Sequence, residues 1–132
     1  MQLVRSAHKE GASSAVLADN MTGLVYFDAI FFADGCACGN VTFSPGTRTF
    51  WHTHEKGQIL YVTQGCGFIQ TEGQPARKLQ VGDVAHVAGG EKHWHGAAKG
   101  TIMTHMAVAL GGCDWHEEVH EKEYESANQT GV

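Results

Sequence analysis

Histidine is the residue in surplus: the 132-residue chain holds nine, and His52, His54, His86, His93, His95 and His105 all fall in its central part. His52 and His54 stand two apart in a run that reads as extended, so both imidazoles leave one face of a strand and reach toward one point. Gln58 comes four residues after His54, beyond the Glu55-Lys56-Gly57 turn, where it can return to that face. His93 follows the Gly89-Gly90 turn and can approach from across a barrel. Three neutral imidazoles and one amide oxygen suit one divalent transition metal per chain, with positions left for water or substrate. A lone strand histidine is more often packed or half-exposed than a ligand, and that reading is kept for His8, His86, His116 and His120.

His105 lies on an extended run where, by parity, it shares a face with Met103, Ala107 and Ala109, while Ile102, Met106, Val108 and Leu110 take the other. Its small neighbours leave room beside it. Facing a barrel interior, it would stand near the metal as a group able to exchange a proton with a bound substrate. The competing reading is a buried histidine bonded to a backbone carbonyl. His95 has the parity of His93 and is read as a supporting residue. Trp51 and Trp94 have the opposite parity and should pack on the outer sheet face, while Phe43 and Phe50 are candidates to line the cavity. Glu55-Lys56 and Glu91-Lys92 read as solvated loop charges.

Short runs rich in Val, Ile, Thr, Phe and Tyr, separated by Gly-containing turns, position these residues and predict an all-β sandwich or barrel. Strands are expected at 24–29, 39–44, 47–52, 58–63, 67–72, 78–80, 84–87, 95–98 and 102–110. Turns are expected at Ser44-Pro45-Gly46, Gln64-Gly65, Glu72 to Pro75, Gly82-Asp83 and Gly89-Gly90. The one helix expected runs from about Glu117 to Ser126, with Glu118 and Lys122 in the favourable i, i+4 order; residues beyond it should fray. His116 and His120 are four apart there and read as a solvated face. Gly46, Gly65, Gly82 and Gly90 read as turn glycines rather than phosphate binders, because no helix follows them.

At this length one domain over residues 1–132 is expected. Apolar residues make up 42% of the chain, enough for a compact core. Lys+Arg 9 against Asp+Glu 14 gives a net charge of -5, without the basic face that nucleic-acid binding needs. No apolar stretch approaches the ~20 residues of a membrane helix, and residues 1–14 lack a signal-peptide core, so a cytoplasmic protein is expected. Cys36, Cys38, Cys66 and Cys113 show no paired spacing and read as reduced thiols.

The spacing of Gly46, His52-Thr53-His54, Gln58 and Gly65 resembles the first motif of the cupins, with glutamine in the glutamate position. Gly82, Ala88-Gly89-Gly90, His93 and Ala97 resemble the second motif, with Ala88 replacing proline and Ala97 replacing asparagine. The motifs span about 46–65 and 82–97. This resemblance implies a small jelly-roll barrel with its metal held by His52, His54, Gln58 and His93. The strings Trp51 to His54, Gly57-Gln58, Gly90 to Ala97 and Met103-Thr104-His105 are similar to small bacterial monocupins that include the manganese-dependent hydroxynitrile lyases. Asp114-Trp115 and Glu123-Tyr124 fit that group too. It implies manganese first among the metals, with iron, zinc, nickel or copper as alternatives, and His105 as acid or base.

Three functions follow as expectations: a lyase of hydroxynitrile type acting on a small molecule, a cupin dioxygenase, or a non-catalytic ligand- or metal-binding module. A neutral Gln58 leaves the metal its full double charge, which favours Lewis-acid chemistry over oxygen activation. Jelly-roll domains of this size commonly pair through sheet faces or edges, so a homodimer is expected, with no nucleic-acid or membrane partner.

Overall fold

The computed structural model describes residues 1–5 and 14–129; His8 lies outside them. The chain is mostly β, with strands β1 (Ala15–Leu17), β2 (Val25–Ala33), β3 (Cys36–Phe43), β4 (His52–His54), β5 (Gln58–Thr71), β6 (Arg77–Gln80), β7 (Val84–Val87), β8 (His93–Ala97), β9 (Met103–Leu110) and β10 (Cys113–Trp115). A short helix, α1 (Glu121–Asn128), ends the described part. Among the described residues no helix is long and apolar enough to cross a membrane.

The strands form one curled sheet in the order β1-β2-β3-β9-β5-β8-β4-β10, with β6 and β7 both pairing β5. The curl is made by β5: its first half pairs β7 and β9, its second half β6 and β8. Between the halves, the β5–β9 register shifts between Val62 and Gln64, the kind of bulge that bends a strand. Gly65 at φ 71° sits here, and an added Cβ would lie 1.8 Å from the Ile102 carbonyl oxygen, so only glycine fits.

Two apolar clusters hold the sheet. Inside the curl, Val25, Val41, Phe43, Leu60, Val62, Leu79, Ala97, Met103 and Ala107 pack together, following the period-2 alternation of their strands. Outside it, Trp51, Phe68 and Trp94 are covered by Val119 and by Tyr124 and Ala127 of α1, so the two tryptophans do take the outer face. Buried Arg48 pins this cover: its guanidinium donates to the Val119 carbonyl at 2.8 Å and lies 4.3 Å over the Tyr124 ring.

The structure corrects several expected bounds. Gln58–Thr71 is one strand, because Gln64-Gly65 makes a bulge and not a turn. The strand expected at 47–52 is confined to His52–His54, since Thr47, Thr49 and Phe50 direct their N–H groups to loop and neighbouring-strand carbonyls. The helix begins at Glu121, because His116 and Glu117 are tied to Trp51 by backbone bonds of 2.8 and 3.0 Å. His116 and His120 therefore share no helix face, and Glu118 precedes the helix that would have paired it with Lys122. The described cysteines are free, and Gly46, Gly82 and Gly90 have the positive φ expected of turn glycines, as does Gly65 in its bulge.

Candidate metal centre

The register gathers the ligand candidates between the two walls of the curl. His52 and His54 begin and end β4, and His52 pairs His93 of β8. Gln58 opens β5 opposite Val87 and Ala109. Ring centroids lie 4.2 Å apart for His52–His93, 5.1 Å for His52–His54 and 5.8 Å for His54–His93. Gln58 Oε1 lies 3.1 Å from His93 Nε2, and all four side chains are buried.

Backbone carbonyls set the tautomers. His52 Nδ1 is 2.9 Å from the Phe50 carbonyl and His93 Nδ1 is 2.9 Å from the Glu91 carbonyl. A carbonyl only accepts, so each Nδ1 carries the proton and each neutral Nε2 presents a lone pair, the tautomer that metal-binding imidazoles use. The Glu91 carboxylate takes hydrogen bonds from the Thr71 hydroxyl at 2.7 Å and the Ala88 N–H at 2.9 Å, fixing the loop that orients His93. Glu91 is thus a structural anchor and not a solvated loop charge. Lys92 is also engaged, with Glu72 at 2.8 Å, Glu117 at 2.5 Å and the Trp51 ring at 5.7 Å.

Burial keeps the cluster neutral. Burial and then the neighbouring His93 push His52 down to about 2 and His54 down to about 4, and burial lowers His93 as well. Both nitrogens of buried His54 lack a hydrogen-bond partner, and the His93 Nε2 lone pair faces an amide oxygen, another acceptor. Unpartnered polar atoms are costly in a dry interior, and a cation would complete the lone pair that each neutral imidazole carries. The residues present fit a divalent transition metal.

His95 enters this cluster. The ligand atoms of His52, His93 and His95 all lie within 4.8 Å of one another, a spacing that can hold a metal. Its ring lies 5.2 Å from His52 and 5.6 Å from His93, and its Nδ1 is 3.1 Å from His105 Nε2. His105 does face the interior, completely buried, beside Phe43 at 5.5 Å. Burial pushes His105 down to about 4 and lowers His95 well below the ordinary range, leaving both neutral. His95 Nε2 and His105 Nδ1 have no hydrogen-bond partner. Read from sequence as a supporting residue, His95 stands between the His52–His93 pair and His105; the signal was its two-residue spacing from His93.

Trp115 adjoins the cluster without a spacing in the sequence that ties it to the ligand candidates. Its ring lies over His52 at 4.7 Å, on a strand the composition did not suggest. His86, His116 and His120 are exposed. A groove of about 630 Å³, within the range of small-molecule sites, opens between β6 and β7; its lining includes Ile69, Thr71, Arg77, Leu79 and Val87. None of the ligand candidates lines it, though two of its lining residues neighbour them in register, Thr71 paired with His93 and Val87 with Gln58.

Comparison with known proteins agrees with this architecture. The family model described as "Cupin domain" matches residues 39–109, more than half of the chain, so the chain belongs to the cupin family. It is 48% identical over 120 residues to a protein of Granulicella tundricola named (R)-mandelonitrile lyase, covering 86% of this chain and 92% of that one. A cupin-like protein from Thermotoga maritima superposes with a TM-score of 0.82 at 37% identity, covering 86% of this chain and 91% of the other. The polyketide cyclase RemF from Streptomyces resistomycificus shares the fold, with a TM-score of 0.74 at 18% identity over 93% of this chain and 92% of that one.

Proposed function

We propose that this cupin is a metal-dependent lyase that cleaves a small α-hydroxynitrile to an aldehyde and hydrogen cyanide. The observation that carries the reading is the buried His95–His105 pair, in contact at 3.1 Å, beside a cluster of three imidazoles and an amide oxygen. Its likeness to a protein named mandelonitrile lyase supplies the substrate class.

His52, His54, Gln58 and His93 are the residues that would hold one divalent metal, with manganese first and iron, zinc, nickel or copper as competitors. The bound metal supplies Lewis-acid polarisation of a substrate hydroxyl. None of these side chains carries a negative charge, which favours that role over oxygen activation.

The proton is handled by the histidine pair. In the tautomer this reading requires, His95 carries its proton on Nδ1 and donates it to His105 Nε2, which leaves its unpartnered Nε2 as a base. That nitrogen takes the hydroxyl proton of the substrate. The O–H electron pair becomes the carbonyl π bond, the C–C bond to the nitrile breaks, and its electron pair leaves on cyanide. The proton on His95 Nε2 then passes to the departing cyanide, so hydrogen cyanide leaves and the pair returns to its starting state. His105 contributes by holding the tautomer of His95.

The test is metal content after chelation and reloading with manganese, beside the His52→Ala variant, followed by cyanide release from mandelonitrile. About one metal per chain in the parent, little in the variant, and metal-dependent cyanide release are expected. Oxygen uptake in place of cyanide release would replace the lyase with an oxygenase.

A further inference from the structure

The groove of about 630 Å³ between β6 and β7 joins an apolar floor to a cation that nothing pairs. Arg77 opens β6 opposite Ile69, and Leu79, two residues on, stands opposite Gly67. Cross-strand partners share a sheet face, as do residues two apart in one strand, so Arg77 is on the face of Ile69 and Leu79. That is the face of the interior apolar cluster, which contains Leu79 and against which Ile69 packs. Across the groove, Ala85 of β7 packs against the same cluster, and Val87, two residues on, is buried.

The acidic groups of the groove are already satisfied. Glu91 accepts from the Thr71 hydroxyl and the Ala88 N–H, one on each oxygen, and exposed His86 lies close enough to favour its ionised form. Asp83 accepts from the Gln80 N–H at 2.8 Å. The basic groups are not satisfied. Arg48, Lys92 and Lys99 each hold a carboxylate, whereas Arg77 and Lys78 have no ion pair or hydrogen bond among the described residues. In a chain with 14 acidic side chains to 9 basic ones, two adjoining unpaired cations on one groove are an exception that calls for an anion. The planar fork of a guanidinium matches a carboxylate, and the floor beside it suits a hydrocarbon body.

We propose that this groove binds a small carboxylate with an apolar body, its carboxylate on the Arg77 guanidinium and its chain over Ile69, Leu79 and Val87. The site is separate from the metal centre, whose ligand candidates do not line it, and it stands whether or not the chain is a lyase. The competing duty of Arg77 is to keep a further strand off the edge of β6, as an inward charge does. The two duties differ in what the side chain binds.

The experiment is calorimetric titration of the manganese-loaded and the chelated protein with acetate, butanoate, hexanoate and 1-hexanol. Affinity should rise about two- to fourfold for each methylene added from acetate to hexanoate, as the chain is buried. Hexanoate should bind more tightly than uncharged 1-hexanol, and equally with and without metal. Arg77 is exposed, so its variants keep the fold. Arg77→Gln should lose roughly tenfold in affinity for hexanoate and less than about twofold for 1-hexanol, and Arg77→Lys should recover part of the loss. Hexanoate binding that vanishes on chelation would assign the carboxylate to the metal centre and overturn the proposal. Unchanged hexanoate affinity in Arg77→Gln would overturn it too, leaving Arg77 as a guard of the strand edge, as would a parent that binds no hexanoate or binds it no better than acetate.

Discussion

His105 Nε2 lies 3.1 Å from His95 Nδ1, which joins the interior of β9 to the interior of β8. His95 is the member of this pair whose ring packs against both His52 and His93. In the reaction proposed above, a proton exchanged by His105 would therefore pass through His95.

If the two imidazoles act as one unit, His95→Ala and His105→Ala should each lower cyanide release by about 10²- to 10⁴-fold, the range for loss of an acid–base group. The double variant should be little worse than the poorer single one, as for residues that work together. Metal content read in parallel should stay near that of the parent. Full activity in His105→Ala would contradict the arrangement.

Glu91 acts on the centre without contacting it, because its carboxylate anchors the loop whose carbonyl orients His93. Glu91→Ala should weaken manganese affinity by about 10- to 100-fold, the usual cost of losing a group that orients a metal ligand. A metal titration of the folded variant checks this, and unchanged affinity would show that His93 holds its orientation unaided.

The neutral histidines make the metal-free fold sensitive to acid. Burial pushes His52 down to about 2 and His54 and His105 down to about 4 in the folded chain, from the 6.5 of a free histidine. Between about pH 6.5 and 4 the unfolded chain binds protons the folded chain refuses, so stability is greatest above that window and falls as pH drops through it. Each such histidine contributes a slope of about 1.4 kcal/mol per pH unit there. Urea denaturation at pH 7, 6 and 5 should show a falling midpoint, and His105→Phe should flatten the fall. A midpoint independent of pH would contradict the neutral cluster.

The cover on the outer face can be measured through one hydroxyl. Tyr124 donates to the Ala97 carbonyl at 2.6 Å, from α1 to the strand that carries His93 and His95. Tyr124→Phe should cost about 1 kcal/mol in denaturation, and Trp94→Ala, which empties the space beneath, about 3–5 kcal/mol. Losses within error for both would show that the helix does not brace the strand.

The spacing of His52, His54, Gln58 and His93 was legible because same-face parity is local: a strand that carries His at two-residue intervals aims both inward whatever its neighbours do. The inward face of His105 and the outward packing of Trp51 and Trp94 were legible for the same reason. Trp115 was not, since β10 is three residues long and exists because β4 offers it an edge. The start of α1 was misplaced because residues 116–117 are tied to Trp51, far away in sequence. The inward direction of His95 was legible in its spacing from His93, while its bond to His105 was not, because that depends on how β8 and β9 meet in space.

Because β5 belongs to both walls of the curl, neither wall can peel away while that strand stays intact. Its central amides should be the last to exchange with deuterium, at rates set by whole-molecule unfolding, while β1 and β10, each three residues long and paired on one side, exchange by local fraying. The chain thus couples a floor that opens only when everything opens to a rim, bearing Trp115, that can breathe on its own.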